Sequence, residues 1–150
     1  MITVELDTVI KKSPEEVFAR LSDVSSYSKW MPRMGVFKRS RQTSPGPVRK
    51  GTTYVDIGRM GTWHGEVVDF EKPNRVDYRE TVRWFGLRVM EARALYQLEP
   101  SEGASKLHHV AEGRLYGIFK IMQPMAAVIA RGERRRTVEA LKKSLESAGN

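Results

Sequence analysis

The sequence predicts an α+β fold: a curved antiparallel β-sheet of about seven strands wrapped around a long C-terminal α-helix, with two short helices after strand 1. Three observations carry this expectation. The chain opens on the alternation Ile2, Val4, Leu6, Thr8, Ile10, which is the period of a half-buried strand. Further strand-like runs fill residues 35–115, separated by turns bearing Gly, Pro or Asn. After Pro124 no proline occurs up to Glu146, and Met125, Val128, Ile129, Val138, Leu141 and Leu145 recur at helical spacing. An antiparallel sheet with one apolar face needs a cover, and the long helix supplies it.

Each element has a local reason. Ser13-Pro14-Glu15-Glu16 reads as a helix start: Ser13 caps, Pro14 suits the first helical position and Glu16 completes a capping box. Val17, Phe18 and Leu21 give that helix an apolar face. Asp23 is placed to cap a second short helix, which ends before Pro32 because the residue preceding proline avoids the α region. Residues 35–42 can be read as a strand, and "TSPGPVRKG" at 43–51 as a loop. Strands are expected over 52–60 and 63–71, with Gly61 turning the hairpin. After the turn "EKPN", strands at 75–83 and 87–99 flank "WFG", and the turn "PSEG" leads to a last strand at 105–115. The final helix is the longest element, and Gly132 interrupts its stripe at a bend or a close contact.

The 150 residues suit a single domain spanning 1–150, and at 40% hydrophobic they can fill one core. There is no cysteine, hence no disulfide framework and no thiolate chemistry. No apolar run approaches the roughly 18 residues of a membrane span, and "MITVELD" lacks the regions of a signal peptide. Together these point to the cytoplasm. The net charge of +8 could serve nucleic acid, but the basic residues are scattered among acids and no zinc-finger, RNP-like or helix-turn-helix pattern accompanies them. The charge is read as solubility with a mild preference for anionic ligands. "RGERRR" at 131–136 puts Arg131, Arg134 and Arg135 on the outer face of the long helix. That face is either solvated, with Glu133 as a local partner, or a peripheral contact for an anionic membrane. Monomer and dimer are equally open. His64, His108 and His109 have no ligand spacing, and no nucleophile elbow or phosphate loop is present. No metal and no cofactor is expected.

Strand registers point to the interior. A three-residue loop Trp84-Phe85-Gly86 pairs Val82 with Arg88, Glu80 with Met90, Tyr78 with Ala92 and Val76 with Ala94, which places the apolar residues on one face. Opposing Leu98 with Leu107 then pairs Tyr96 with His109, Ala94 with Ala111 and Ala92 with Gly113. The concave wall so built carries a small-residue patch, Ala92, Ala94, Ala111 and Gly113, which faces Met125, Val128 and Ile129 of the long helix and either admits that helix closely or leaves a void. Among its apolar neighbours, Met90 included, stand Tyr78, Glu80, Arg88, Tyr96 and His109. A few polar groups on an apolar wall are the usual form of a small-molecule site. The alternative is a packed core in which Glu80 pairs with Arg88 at the rim and His109 bonds Tyr96.

With "SPEEVFARLSDVSSYSKWMP" after an opening strand, "GEVVDFEKPNRVDY", "YQLEPSEGASKL" and "RRRTVEALKKSLE", the chain resembles the START-like, helix-grip proteins of the SRPBCC superfamily, in the polyketide cyclase/dehydrase and lipid-transport group. "DVSSYSKWMP" is also similar to coenzyme-Q-binding members, while Gly103-Ala104-Ser105 departs from the commoner Gly-Gly-Thr turn. The resemblance implies a deep hydrophobic cavity between sheet and C-terminal helix, with uses from lipid or polyketide binding to ring cyclisation, transport and sensing. It places Trp30 and Met34 near the cavity rim, although Trp30 could equally be a core plug. The first expectation is therefore binding of a hydrophobic small molecule such as a lipid, isoprenoid or polyketide, with Trp30, Met34, Tyr78, Glu80, Arg88, Met90, Ala92, Ala94, Tyr96, His109, Ala111, Met125 and Ile129 around it. The second is a cyclase or dehydratase using Glu80 as base, with Tyr78, Tyr96 or His109 as proton donors.

Overall fold

The computed structural model describes residues 1–30, 37–58 and 61–147. Met34 lies outside them. The elements are β1 (Ile2–Ile10), α1 (Pro14–Ser22), a 3-10 turn (Val24–Ser26), α2 (Tyr27–Trp30), β2 (Phe37–Gln42), β3 (Thr53–Gly58), β4 (Gly61–Glu71), β5 (Arg75–Trp84), β6 (Leu87–Ser101), β7 (Ala104–Leu115), a 3-10 segment (Gly117–Met122) and α3 (Gln123–Ser147). The seven strands form one sheet in the order β1-β7-β6-β5-β4-β3-β2, antiparallel throughout, so the first strand closes on the last. This is the α+β architecture the sequence predicts, with its long C-terminal helix. The second short helix is a single turn preceded by a 3-10 turn.

The start of α1 uses its serine as expected. Ser13 Oγ accepts the Glu16 N–H at 3.3 Å, and the Ser13 hydroxyl also faces Glu16 Oε1 at 3.3 Å. Three bonds then fix the helices to the sheet and to each other. The Tyr78 hydroxyl donates to the Leu21 carbonyl at 2.6 Å, Ser105 Oγ donates to the Lys12 carbonyl at 2.7 Å, and Arg20 donates to Ser144 Oγ at 3.0 Å.

Three bulges, after Phe37, Val67 and Val82, bend the sheet around the helices. The third corrects the predicted β5–β6 register. The turn is a two-residue one, with Phe85 at φ 54° and Gly86 at φ 81°, the left-handed pair of a type I′ hairpin. Trp84 pairs with Leu87 and Arg83 with Arg88, but Val82 pairs with Met90, leaving Val89 as the inserted residue. Below the bulge Glu80 therefore opposes Ala92, Tyr78 opposes Ala94 and Val76 opposes Tyr96. The predicted face survives because one extra residue plus a shorter loop shifts the register by two. The β6–β7 hairpin has the predicted pairs, Leu98 with Leu107, Tyr96 with His109, Ala94 with Ala111 and Ala92 with Gly113.

Packing is uneven along α3. Its C-terminal half buries Thr137, Val138, Leu141 and Leu145 against Ile10, Val17, Phe18, Leu21, Leu98 and Leu107. Each such aliphatic side chain contributes about 1.5–3 kcal/mol on burial. Its N-terminal half does not reach the sheet: Met125, Val128 and Ile129 are 54, 67 and 49% exposed. The helix runs unbroken through Gly132, where an added Cβ would meet only the Arg136 guanidinium, at 3.8 Å.

Candidate functional site

Where the N-terminal half of α3 stands off the sheet there is a cavity of about 310 Å³. The small-residue patch makes it: Ala92, Ala94, Ala111 and Gly113 all line the wall, with Met125 and Ile129 across from them. Val128 points outward instead. A patch of small side chains opposite a helix leaves a void unless the helix closes on it, and here the packed C-terminal half of α3 holds it away.

A row of aromatic rings divides the cavity from the solid core. Tyr54 meets Tyr78 edge-on at 5.7 Å, Tyr78 meets Tyr96 at 6.3 Å, and Tyr96 stacks on His109 at 4.2 Å and 17°. The three tyrosines line the cavity on one side and belong to the core cluster on the other. Tyr54 lies across β4 at Gly65, where any Cβ would run into its ring. The missing side chain lets the Tyr54 hydroxyl cross from β3 to β5 and donate to Glu80 Oε1 at 2.7 Å.

Glu80 belongs to a polar cluster in the cavity wall. Asp56, only 3% exposed, stands beside Glu80 and Ser40. Arg134 approaches Tyr96 from α3, one of its guanidinium nitrogens 3.4 Å from Thr137 Oγ1. Burial, and after it the neighbouring Asp56 charge, hold the Glu80 carboxyl well above the usual range. Burial raises Asp56 too, while the neighbouring Glu80 and Ser40 side chains and the Arg134 charge act in the opposite direction. Burial likewise raises Tyr96, keeping it a neutral phenol. Two carboxyl groups side by side in such a site do not both ionise, and the stronger upward shift of Glu80 favours the proton there. The cluster can thus donate and accept a proton in a low-dielectric site.

The predicted residues fall into three groups. Tyr78, Glu80, Met90, Ala92, Ala94, Tyr96, Ala111, Met125 and Ile129 line the cavity. Tyr78 presents its ring there, since its hydroxyl is bonded to Leu21. Trp30 is a buried member of the core cluster, 8% exposed, and not part of the cavity wall. His109 lies behind Tyr96, fully buried; its Nδ1 is 2.9 Å from the Leu95 carbonyl, so Nδ1 carries the proton. Burial brings its pKa down to about 3, and a neutral ring bonded to backbone and covered by a tyrosine cannot reach a ligand in the cavity. Arg88 faces outward, because the bulge at Val89 inverts the alternation and turns Val89 inward in its place. It lies 3.4 Å from Glu91 and over the Tyr116 ring, so it does not pair with Glu80.

Tyr54, Asp56, Trp63, Phe119, Met122 and Arg134 line the cavity without having been expected there. Arg134 corrects the reading of the basic run. It sits one heptad before Leu141, on the inward face of α3, whereas Arg131 and Arg135 are exposed. Counting back from Leu141 would have found it. Around the same end of the fold lies an exposed apolar rim: Phe85 and Leu87 at the hairpin tip, Ile118 and Ile121 in the 3-10 segment, and Val128 on α3. Trp84 meets Phe119 edge-on at 5.2 Å and ties hairpin to segment. Among the described residues there is no group of three or more metal-capable side chains, and no helix is long and apolar enough to cross a membrane.

The family model for polyketide cyclase/dehydrase and lipid transport proteins matches residues 1–146. No curated protein matches the chain significantly. Among solved structures, a START superfamily protein from Mycobacterium smegmatis superposes with a TM-score of 0.75 at 14% identity, covering 97% of this chain and 98% of that one. A hypothetical protein from Helicobacter pylori gives 0.77 at 14% identity, covering 95% of this chain and 87% of that one. A conserved protein from Geobacillus kaustophilus gives 0.73 at 17% identity, covering 98% and 97%. At these identities the likeness is one of fold.

Proposed function

Because the chain belongs to the polyketide cyclase/dehydrase and lipid transport family over residues 1–146, we propose that it carries or senses a hydrophobic small molecule, such as a lipid, isoprenoid or polyketide, between the sheet and α3. The observation that supports this most is the cavity itself. Its volume of about 310 Å³ falls at the lower end of the range for small-molecule sites, and its wall is mostly apolar, with a polar cluster around Glu80. The apolar rim suits uptake from a lipid surface, with Arg83, Arg88 and Lys120 beside it to face anionic headgroups.

The test is native mass spectrometry of the protein recovered from anionic vesicles loaded with a lipid and polyketide mixture. Wild type is expected to float with the vesicles and to retain an apolar molecule. Ala94→Leu is expected to fill the cavity, retain less ligand and be as stable as wild type or more so. In a packed core the same change would destabilise by about 1–3 kcal/mol. Protein that retains nothing from any mixture, or an Ala94→Leu variant destabilised to that extent, would overturn the carrier reading.

The Asp56–Glu80 pair favours a second reading, an acid/base enzyme of the cyclase or dehydratase type. On that reading Glu80→Gln keeps ligand affinity but loses turnover of any substrate the cavity converts. Turnover that survives the change would remove Glu80 from the chemistry.

A further inference from the structure

We propose that the cavity selects ligands with a neutral hydroxyl head, an alcohol or a phenol, and discriminates against carboxylates and phosphates. This rests on the carrier reading and adds the chemistry of the head group. The argument starts from charge balance. Asp56 and Glu80 are neighbouring carboxyls in the cavity wall, and two like charges do not both form side by side out of water, so the pair carries a single negative charge. Arg134, on the facing helix, supplies a single positive one. The other ionic side chains at the cavity wall are engaged with one another or with the surface. Arg93 makes a bidentate pair with Asp77, at 2.7–3.1 Å, and reaches Glu112 at 3.8 Å. Glu133 lies 3.7 Å from Arg136. Among the described residues the inner polar cluster is thus charge-balanced before a ligand arrives.

An anionic head entering this cluster would put three acidic groups around one guanidinium. Its desolvation would be matched only by taking Arg134 from the carboxyl pair, leaving that charge buried and unpaired. A neutral hydroxyl brings no charge to balance. It also brings a donor, and the pair has an acceptor to spare: Asp56 Oδ1 is buried in the wall without a hydrogen-bond partner. A donor hydroxyl can satisfy it, or satisfy Glu80 while the cluster re-pairs around Oδ1. A ketone or ether offers acceptors only and leaves Oδ1 unsatisfied.

The experiment is calorimetric titration near pH 7 with chain-matched and ring-matched pairs: decanol against decanoate, naphthol against naphthoate. Wild type is expected to prefer the hydroxyl member by about tenfold more than octanol partitioning does at the same pH. The double variant Asp56→Asn/Glu80→Gln keeps the shapes and removes the negative charge, so Arg134 becomes available to an anion. Its hydroxyl-to-carboxylate ratio is expected to fall by about tenfold or more. A wild-type ratio no larger than partitioning gives, or a folded double variant with an unchanged ratio, overturns the head-group inference and leaves the carrier reading standing. If none of the four probes binds wild type, both fall together. If the double variant does not fold, the wild-type ratio decides alone.

Discussion

Acidification is expected to strip several kcal/mol from this fold through one residue, His109. Its ring is fully buried, its Nε2 has no hydrogen-bond partner, and burial lowers its pKa from 6.5 to about 3. A group whose folded pKa lies below its unfolded value binds fewer protons in the native state. Its contribution is therefore complete above about pH 6.5 and is lost as pH falls through that window towards 3. The shift corresponds to about 4–5 kcal/mol over the whole window. Glu80 acts with the opposite sign. Its folded pKa is raised, so its contribution is complete below the unfolded value of 4.5 and is lost as pH climbs above it. Urea unfolding from pH 3 to 9 should therefore give a domed stability profile. His109→Phe, which keeps a ring against Tyr96, should flatten the acid limb, and Glu80→Gln the alkaline one. An acid limb of unchanged slope in His109→Phe would show that His109 is not the group that titrates.

The second large effect is expected at Gly65. Its backbone does not need glycine, since its φ is not in the left-handed region; its missing side chain does. A Cβ there meets three atoms of the Tyr54 ring, which is 2% exposed and pinned by its hydroxyl bond to Glu80. Gly65→Ala should be destabilising by about 3 kcal/mol, the upper end of overpacking penalties, and should break the 2.7 Å bond from Tyr54 to Glu80. A double-mutant cycle isolates the cause. In a Tyr54→Leu background the same substitution should be nearly neutral, giving a coupling energy of about 3 kcal/mol. Additive effects would mean that the ring and the glycine are independent.

Much of this architecture was legible because the alternation of β1 and the stripe of α3 each have one physical solution. The β6–β7 pairing from Leu98 to Gly113 followed from matching apolar faces across a short turn. The β5–β6 hairpin was not fully legible, because period-two alternation carries no mark for an inserted residue. The bulge at Val89 flips Arg88 outward without changing the pattern on either side. In β3 the run Tyr54-Val55-Asp56-Ile57 reads equally well with either parity. The structure buries the polar parity, since Tyr54 and Asp56 are the residues that find Glu80. Only the bare Gly65 opposite Tyr54 hinted at this, as glycine within a strand often marks a close approach. Arg134 was hidden by company: within a run of arginines, one that turns inward looks like its neighbours.

The divided α3 also bears on how such a protein can change over evolutionary time. Its last three turns secure the fold through Val138, Leu141 and Leu145, while its first turns border a space and owe the core little. Mutations at Met125, Ala126, Ile129 or Ala130 reshape that space without loosening the anchor. Selection for a new cargo and selection against unfolding therefore act on different stretches of one helix, and a lineage can drift from one ligand to another while every intermediate remains folded.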